Sequence, residues 1–393
     1  MSEPLRVLHV HDRLSVRGGA DLHLIAVLDR LPEGVRADLA VGRREHPPPE
    51  PWPFGLHRIR ELGGRAREGA RAARDLARLV EALAPHVVHL HDVTQPEVAE
   101  TLAPMAPLVA TVQDHRAFCP GRGRVRPDGR LCAVPPGPEA CASCFEDPVY
   151  ASWIVARTRR RLDALRRARR VVVLSRYMAQ ELAAAGLEPT RIRVIPPFVW
   201  RGPAPAPPAV GEGYPWGSGP CFLAAGRLTW AKGFQVLLQA HARARTTLPL
   251  LVAGDGPLRG DLEARAARDA LRVHFPGWLP HGALLDLLPR ARAFVLPSVW
   301  AEPFGIAGLE ALAAGVPVIA SDVGGVSEWL DPAAGWLVPS GDAAALAEAL
   351  EAASDPDEAG RRGAVGAAHV AARFRAPDLM AALEAVWREA AGG

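Results

Sequence analysis

The sequence predicts an α/β protein built from two doubly wound domains, and two observations lead to this fold class. Short apolar strands alternate with amphipathic helices along the whole chain, which is the pattern of βα units around parallel sheets. The chain has 393 residues, more than a single hydrophobic core comfortably supports, so two domains are expected. Two such Rossmann-like domains facing one cleft would bind ligands at the carboxyl ends of their strands.

The first half of the chain predicts one domain followed by a linker. Its candidate strands are the apolar stretches at 5–11, 37–42, 87–91, 107–113, 171–175 and 192–197. Residues 201–220 then read RGPAPAPPAVGEGYPWGSGP, a stretch so rich in Pro and Gly that it cannot hold a helix or a central strand. We therefore expect an N-terminal domain over 1–200 and a linker over 201–220.

The second half predicts another domain of the same kind, over 221–375. Its candidate strands lie at 222–228, 248–256, 273–277, 293–297, 317–321 and 335–339. A final amphipathic helix follows, with Leu379, Leu383 and Trp387 at i, i+4 and i+8. We expect the segment 376–393 to pack back toward the N-terminal domain.

Composition excludes several classes of protein. Apolar residues make up 49% of the chain and the formal charge is only +3, which argues against disorder and gives no reason by itself to expect nucleic-acid binding. The N-terminus enters a strand almost at once, without a signal-peptide pattern, and no apolar run is long enough to span a membrane. The sequence thus predicts a cytoplasmic protein whose membrane contact, at the inner face, is at most peripheral.

Cationic residues are used very unevenly. Lys and Arg together number 46, and the sole lysine is Lys232. Arginine is a planar fork, whereas lysine is a compact point charge that can sit against a phosphate. The one retained lysine therefore indicates a position that needs the smaller head group.

The stretch 296–328 contains the strongest functional signal. An apolar strand runs into a loop with Glu302, and a helix follows with Glu310 in its second turn. The helix start, which comprises Phe304, Gly305 and Ile306, offers N–H groups that suit phosphate or sugar oxygens. Carboxylates on both sides fit a nucleotide sugar, which has hydroxyls on both sides of its diphosphate. The alternative is a helix start whose acidic residues only interact with the helix dipole and bind no ligand.

A second basic motif lies at the first strand of this half. Arg227 ends that strand and Lys232 precedes the next helix, so both can reach one diphosphate and offset the charge of a leaving nucleotide. A basic loop without a ligand is the alternative.

These motifs resemble those of the family 4, or group 1, glycosyltransferases. The string E-P-F-G-I-A-G-L-E resembles the E-x(7)-E signature of retaining enzymes with the GT-B fold, with Glu302 and Glu310 as the pair. The pattern G-R-L-x(3)-K-G is similar to the family motif in which Arg227 and Lys232 would bind the donor diphosphate. In that family the turn at Gly254 borders the nucleotide, and the segment around Trp278 borders the base.

The resemblance implies a hexosyltransferase-type enzyme with two Rossmann-like domains. It would move a sugar, with retention, from a nucleotide-diphosphate sugar to a lipid-linked glycan, a polysaccharide precursor or a small metabolite. No catalytic metal is needed, because Arg227 and Lys232 take its place. The rivals are a related GT-B epimerase or phosphorylase, and a zinc-stapled, arginine-rich module that binds nucleic acid.

The first half would bind the acceptor. Gly18 and Gly19 follow the first strand, and their amides could approach a ligand, or they simply form a tight turn. The family shows GG-A-E here, and this chain has Asp21 as the acidic residue. Asp114 and His115 follow the 107–113 strand, where the family often has His-Asp. Either could orient the acceptor hydroxyl or take its proton, or the two could form a strand-end cap.

A cysteine-rich insertion spans 115–150. Its cysteines, Cys119, Cys132, Cys141 and Cys144, are spaced C-x(12)-C-x(8)-C-x(2)-C in a loop with almost no apolar core. In a reducing cytosol four thiolates around structural zinc are a natural staple for such a loop. Free or redox thiols are the alternative, and disulfides apply only to an exported protein. Similar insertions occur in some members of the resembling family.

Residues 153–170 carry eight arginines along a partly apolar helix. They form either a solvated helix face or a basic surface that docks on an anionic membrane with a lipid-linked acceptor.

Overall fold

The structure is a computed structural model of the chain. It describes residues 3–45, 54–121, 123–130, 132, 134, 138–202, 217 and 219–392. The chain divides into two compact units, Met1–Pro197 with Ala376–Gly393, and Phe198–Arg375. Most of the linker expected over 201–220, namely 203–216 and 218, lies outside the described residues.

The first unit is built on a parallel sheet of seven strands in the order β3-β2-β1-β4-β5-β6-β7. The strands are β1 Leu5–Leu14, β2 Val35–Arg44, β3 Gly55–Arg58, β4 Val87–His91, β5 Leu108–Val112, β6 Arg170–Val173 and β7 Ile192–Val194. Its first six helices are α1 Gly19–Asp29, α2 Gly69–Leu83, α3 Pro96–Leu102, α4 Pro138–Cys141, α5 Pro148–Leu165 and α6 Arg176–Ala184. Short 3-10 turns lie at Ala66–Glu68, His115–Ala117, Ala142–Cys144 and Pro189–Arg191.

The second unit repeats this design with a six-stranded parallel sheet in the order β10-β9-β8-β11-β12-β13. Its strands are β8 Cys221–Ala225, β9 Leu250–Ala253, β10 Val273–Gly277, β11 Ala291–Leu296, β12 Val318–Ser321 and β13 Gly335–Val338. Its helices are α7 Phe234–Arg243, α8 Arg259–Arg268, α9 His281–Leu287, α10 Ile306–Ala313, α11 Ala343–Ser354 and α12 Pro356–Arg373. The 3-10 turns are Trp230–Lys232, Leu288–Arg290 and Val326–Glu328.

The last helix, α13 Ala376–Gly392, belongs to the first unit. Its Trp387 is completely buried, and the indole Nε1 donates a hydrogen bond of 3.0 Å to His89 Nδ1 on β4. His89 therefore carries its proton on Nε2, which donates to Thr111 Oγ1 on β5 at 2.7 Å. Burial in this core lowers the pKa of His89 well below its usual range and keeps the ring neutral.

The α/β fold class is confirmed, and each apolar stretch that predicted a strand forms one. Strand β3 was not predicted, because it is a four-residue edge strand with no buried side chain. The order of both sheets reverses direction between β1 and β4 and between β8 and β11. Ligands of open α/β sheets bind at such points, beyond the carboxyl ends of the strands. No described helix is long and apolar enough to cross a membrane.

Candidate functional site

An ion pair joins the two loops at the switch point of the second unit. Lys232, from the loop after β8, donates to Glu302 Oε1, from the loop after β11, at 2.6 Å. Ser298 Oγ donates to the same oxygen at 2.5 Å. Burial raises the pKa of Glu302, but the Lys232 charge and these hydrogen bonds outweigh it and hold the pKa below its usual value. Glu302 is therefore a buried anion that fixes the position of the lone lysine.

Glycines let the two loops approach this closely. Gly233, just after Lys232, has φ +71°, and a Cβ there would lie 1.7 Å from Pro297 O. On the other side, a Cβ on Gly324 would lie 2.1 Å from Glu302 O. Gly325 N donates to that same carbonyl at 2.8 Å. The backbone on both sides of the Lys232–Glu302 pair is thus packed too tightly for any side chain.

The second predicted carboxylate, Glu310, is on α10 and is also buried. Its Oε1 lies 2.7 Å from Nε2 of His281, the first residue of α9. Trp200 stacks on His281 with the ring centroids 6.2 Å apart. The His281 ring therefore holds the Glu310 side chain in place.

The start of α10 is shaped by a buried tryptophan. Trp329 Nε1 donates to Phe304 O at 2.6 Å. A Cβ on Gly308 would lie 2.3 Å from the Trp329 ring, so the helix rests directly on the indole. Gly305 has φ +95° and precedes Ile306, the first helical residue. The indole thereby anchors the helix start that the sequence predicted to face a ligand.

The remaining predicted donor-site residues flank these loops. Arg227 is exposed and forms no ion pair within the described part of the chain, so its charge is available to a ligand. Gly254 follows β9 with φ +149°, and a Cβ there would lie 1.9 Å from Gly226 O. The turns after β8 and β9 therefore touch through their backbones. Trp278 follows β10 and is partly buried.

In the first unit, the loop at Gly18 and Gly19 opens onto a buried carboxylate. Asp21 is 2% exposed and accepts from Arg13 Nη2 at 2.7 Å and from His11 Nε2 at 3.1 Å. Burial raises the pKa of Asp21, but these hydrogen bonds hold it below its usual value. A Cβ on Gly18 would lie 2.4 Å from Asp21 Oδ2. The glycine is therefore required by the Asp21 carboxylate beside it.

Asp114 and His115 separate in the structure. Asp114 accepts from the Arg116 backbone N–H at 2.8 Å and from Arg116 Nε at 2.5 Å, and it lines a cavity. His115 is 1% exposed, and its Nε2 lies 2.9 Å from Tyr177 Oη. Of the two, Asp114 is the one placed to meet a ligand, and it also caps the His115–Ala117 turn.

Asp92 is a candidate site residue that sequence reasoning missed. It follows β4 with φ +48° and lines the same cavity as Asp114. Its Oδ1 accepts from Gln113 N at 2.9 Å, whereas Oδ2 is buried without a hydrogen-bond partner among the described residues. Burial and the charge of Asp114 raise the pKa of Asp92 to about 7. The available signal in the sequence was an acidic residue directly after a predicted strand. Its position next to Asp114 in space could be seen only in the structure.

The four cysteines of the insertion form no disulfide, and no three of their sulfurs lie within 4.8 Å of one another in the described part of the chain. Burial raises the pKa of the Cys144 thiol, and the neighbouring Cys141, Cys119 and Cys132 raise it further. Arg124 donates weakly to two of the sulfurs, through its backbone to Cys119 Sγ at 3.4 Å and through its guanidinium to Cys132 Sγ at 3.9 Å. A bound cation would favour the thiolate form of Cys144.

Among the described residues, the only group of three or more potential metal ligands that lie close together is a histidine cluster in the first unit. The ligand nitrogens of His9, His89 and His91 lie within 4.8 Å of one another. However, both His89 nitrogens are engaged by Trp387 and Thr111, and His9 Nδ1 lies 2.9 Å from His91 Nε2. We interpret this cluster as a hydrogen-bonded core.

Two family models match the chain. The description "Glycosyltransferase Family 4" matches residues 17–199, and "Glycosyl transferases group 1" matches residues 219–355. Among curated relatives, the chain is 40% identical to a glycogen synthase of Mycobacterium tuberculosis over 146 residues, 36% of this chain and 35% of that one. It is 36% identical to a 2-deoxystreptamine glucosyltransferase of Streptomyces kanamyceticus over 177 residues, 42% of this chain and 46% of that one. The matches thus span less than half the length of these relatives.

Solved structures share the fold over nearly the whole chain. Anabaena Alr3699/HepE, in complex with UDP and glucose, has a TM-score of 0.73 at 17% identity and covers 98% of this chain and 100% of its own. Sucrose-phosphate synthase of Thermosynechococcus elongatus has a TM-score of 0.75 at 20% identity and covers 98% of both chains. With family matches on both halves and two Rossmann-like units, the chain belongs to the family 4, or group 1, glycosyltransferases of the GT-B fold.

Proposed function

We propose that the protein transfers a sugar from a nucleotide-diphosphate sugar to a hydroxyl-bearing acceptor, with retention of the anomeric configuration. The observation that carries the proposal is the Lys232–Glu302 pair of 2.6 Å at the switch point of the second sheet. Alr3699/HepE, which shares the fold, binds UDP and glucose. The donor would lie across the loops after β8, β9 and β11.

The pair supports this function because it orients the Lys232 ammonium and leaves its other N–H donors available to a ligand. A lysine ammonium has three N–H donors, and Glu302 uses one of them. The other donors of Lys232, together with the exposed Arg227, can bind the diphosphate and stabilise its charge as it leaves. The start of α10 would receive the donor's oxygens, between Glu302 and Glu310.

The test is nucleotide binding by thermal shift, with UDP, GDP and ADP each added to the full chain. A ligand that binds only the native state raises the melting temperature by mass action. One of the three nucleotides is expected to raise it for the wild type, and Lys232→Ala should abolish that rise. Lys232→Ala also leaves Glu302 buried without its partner, so each shift is measured from the variant's own melting temperature.

Arg243→Ala is the matched control, because Arg243 is an exposed cation at the far end of α7. It should keep the full nucleotide shift. Lys232→Arg tests the compact head group and should retain only part of the shift. A full shift in Lys232→Ala would exclude the assigned donor site.

For the acceptor we propose three classes of compound. One relative is named a glycogen synthase and another a 2-deoxystreptamine glucosyltransferase, so a polysaccharide and a small metabolite both have a counterpart. A lipid-linked glycan is the third class. Proton NMR of the first product would show an axial or equatorial anomeric bond, and inversion of the donor's configuration would exclude a retaining enzyme.

We also propose that Cys119, Cys132, Cys141 and Cys144 hold a structural zinc ion. Support comes from the spacing of the four cysteines and from the raised pKa of Cys144, because zinc would stabilise a thiolate at that position. The sulfurs would have to move closer together to share one ion, since no three of them lie within 4.8 Å of one another in the described part of the chain. Metal analysis of freshly purified protein should give one zinc per chain, and a value far below one would exclude the site.

Peripheral membrane contact through residues 153–170 stays a proposal. The exposed Tyr150 and Trp153 on α5 support it, since aromatic rings favour the membrane interface. Against it, Arg160 is paired with Glu97 and Glu100 at 2.6 and 2.5 Å, which favours the solvated-face interpretation. Sedimentation with liposomes of rising anionic content decides between them, and indifference to that content would exclude docking.

A further inference from the structure

A cavity lies in the first unit between its sheet and the helices α3 and α5. One wall is the face of β5 formed by Leu108, Ala110 and Val112. The opposite wall is formed by Ala164 and Leu165 of α5 and by Ala168 just beyond it. The part of β5 that lines the cavity, from 108 to 112, is about 13 Å long.

The two ends of this cavity differ in chemistry. At the carboxyl end of the strands it is lined by Asp92, Thr94, Asp114 and Arg116, and at the other end by Leu108 and small apolar side chains. Arg161 is held at the polar end, where its Nε donates to Thr94 O at 2.9 Å. An occupant that suits both ends has a polar head and an aliphatic body.

The polar end contains a hydrogen-bond acceptor that is not satisfied. Asp92 Oδ2 is buried and has no partner in the described part of the chain. Asp114, in contrast, is engaged by Arg116 through two hydrogen bonds of 2.8 and 2.5 Å. Leaving a carboxylate oxygen unpaired is costly, and the backbone at Asp92 is also held at φ +48°. Such a position suits an oxygen that a ligand's hydroxyl would satisfy.

We propose that this cavity binds the aliphatic part of an acceptor alcohol and that Asp92 accepts a hydrogen bond from its hydroxyl. The proposal rests on the proposed function in one respect, namely that it identifies the occupant as the acceptor. It narrows the acceptor to a hydroxylated compound with an apolar segment, as opposed to a glycan that is hydroxylated throughout. The cavity volume of about 60 Å3 has room for a short chain, on the order of four or five water-sized groups.

The experiment is a ligand-observed NMR titration of the full chain with ethanol, 1-propanol and 1-butanol as probes. Each added methylene that enters an apolar cavity should strengthen binding about fourfold. Erythritol, the four-carbon tetrol, should not bind, because its extra hydroxyls find no partners along the apolar walls. 1-Fluorobutane, which lacks the donor, should bind about tenfold more weakly than 1-butanol.

Two leucine variants on one helix locate the binding. Ala164→Leu fills the cavity from α5 and should weaken 1-butanol binding at least tenfold. Ala156→Leu adds the same side chain at an exposed position of that helix and should change nothing. Urea unfolding checks that both variants fold. The alcohol titrations of the wild type test the proposal even if a variant does not fold.

The outcomes separate this inference from the proposed function. If the wild type shows a nucleotide shift but binds erythritol as well as 1-butanol, or binds no alcohol, the inference is wrong and the donor site stands. Unchanged 1-butanol binding in Ala164→Leu would also overturn it. If 1-butanol binding follows the expected pattern while no nucleotide binds, the cavity assignment stands and the proposed transfer reaction fails.

Discussion

Asp92 illustrates how a single side chain is tuned by its surroundings. Burial and the charge of Asp114 raise its pKa, whereas Arg116, the Gln113 N–H and His11 lower it. The net result is a pKa of about 7. In the unfolded chain an aspartate titrates near about 3.9. Between about pH 4 and 7 the folded chain therefore binds one more proton at this site than the unfolded chain. Stability must fall as the pH rises through that window.

Asp92→Asn should remove this pH dependence. Asparagine keeps the shape and tolerates the φ of +48°, so the variant differs mainly in being neutral at every pH. Relative to the wild type it should gain about 2–4 kcal/mol of unfolding free energy between pH 4 and 8. Urea unfolding at those two pH values gives the difference.

Asp114→Asn is the companion variant for this measurement. It removes one of the charges that raise the pKa of Asp92, so the wild-type decline in stability should move to lower pH while Asp92 still titrates. An Asp92→Asn effect of the same size at pH 4 and pH 8 would show that the carboxyl does not titrate as argued.

At the level of elements, the loops after the strands determine the geometry of the proposed donor site. Gly233→Ala would place a methyl group 1.7 Å from Pro297 O and would also strain φ +71°. Gly341 has a similar φ of +78° but nothing within 4 Å of its Cβ position. Gly341→Ala is thus a matched control that carries the backbone strain alone, about 1–2 kcal/mol.

Gly233→Ala should lose at least about 2 kcal/mol more than the control, because the backbone of the two loops must move apart. The same movement would separate Lys232 from Glu302, so nucleotide binding should weaken as well. Urea unfolding and the thermal shift with nucleotide measure the two effects. Equal destabilisation by both alanines would mean that the close approach to Pro297 is not a constraint.

The sequence predicted most of the strands, but it predicted only some of the contacts between distant segments. Apolar runs predicted the strands because buried parallel strands need them, but β3 is a polar edge strand without that signal. The motifs at Lys232 and Glu302 could be recognised locally. Their contact could not, because the loops are 70 residues apart and meet only through the strand order. Asp92 was missed since its importance comes from burial beside β5, which its neighbours in sequence do not reveal.

The path of the chain makes the first unit depend on a helix that comes after the second unit. The chain leaves the first unit at Pro197, forms the second unit, and completes the first with α13. Trp387 of that helix is 0% exposed and donates to His89, and Glu389 forms an ion pair with Arg193 at 3.1 Å. The stability of the first unit therefore rests partly on residues that follow the second unit in the chain.

Trp387→Ala should destabilise the first unit by about 3–5 kcal/mol, the usual cost of removing a buried tryptophan. The second unit contains the proposed donor site and does not include this helix, so nucleotide binding should persist. Arg388→Ala, at the adjacent exposed position, is the control and should change stability by less than about 0.5 kcal/mol. Calorimetry with and without nucleotide identifies the unit that unfolds first, because the nucleotide raises only the transition of the unit that binds it. Loss of nucleotide binding in Trp387→Ala under conditions where the second unit remains folded would show that the donor site depends on α13.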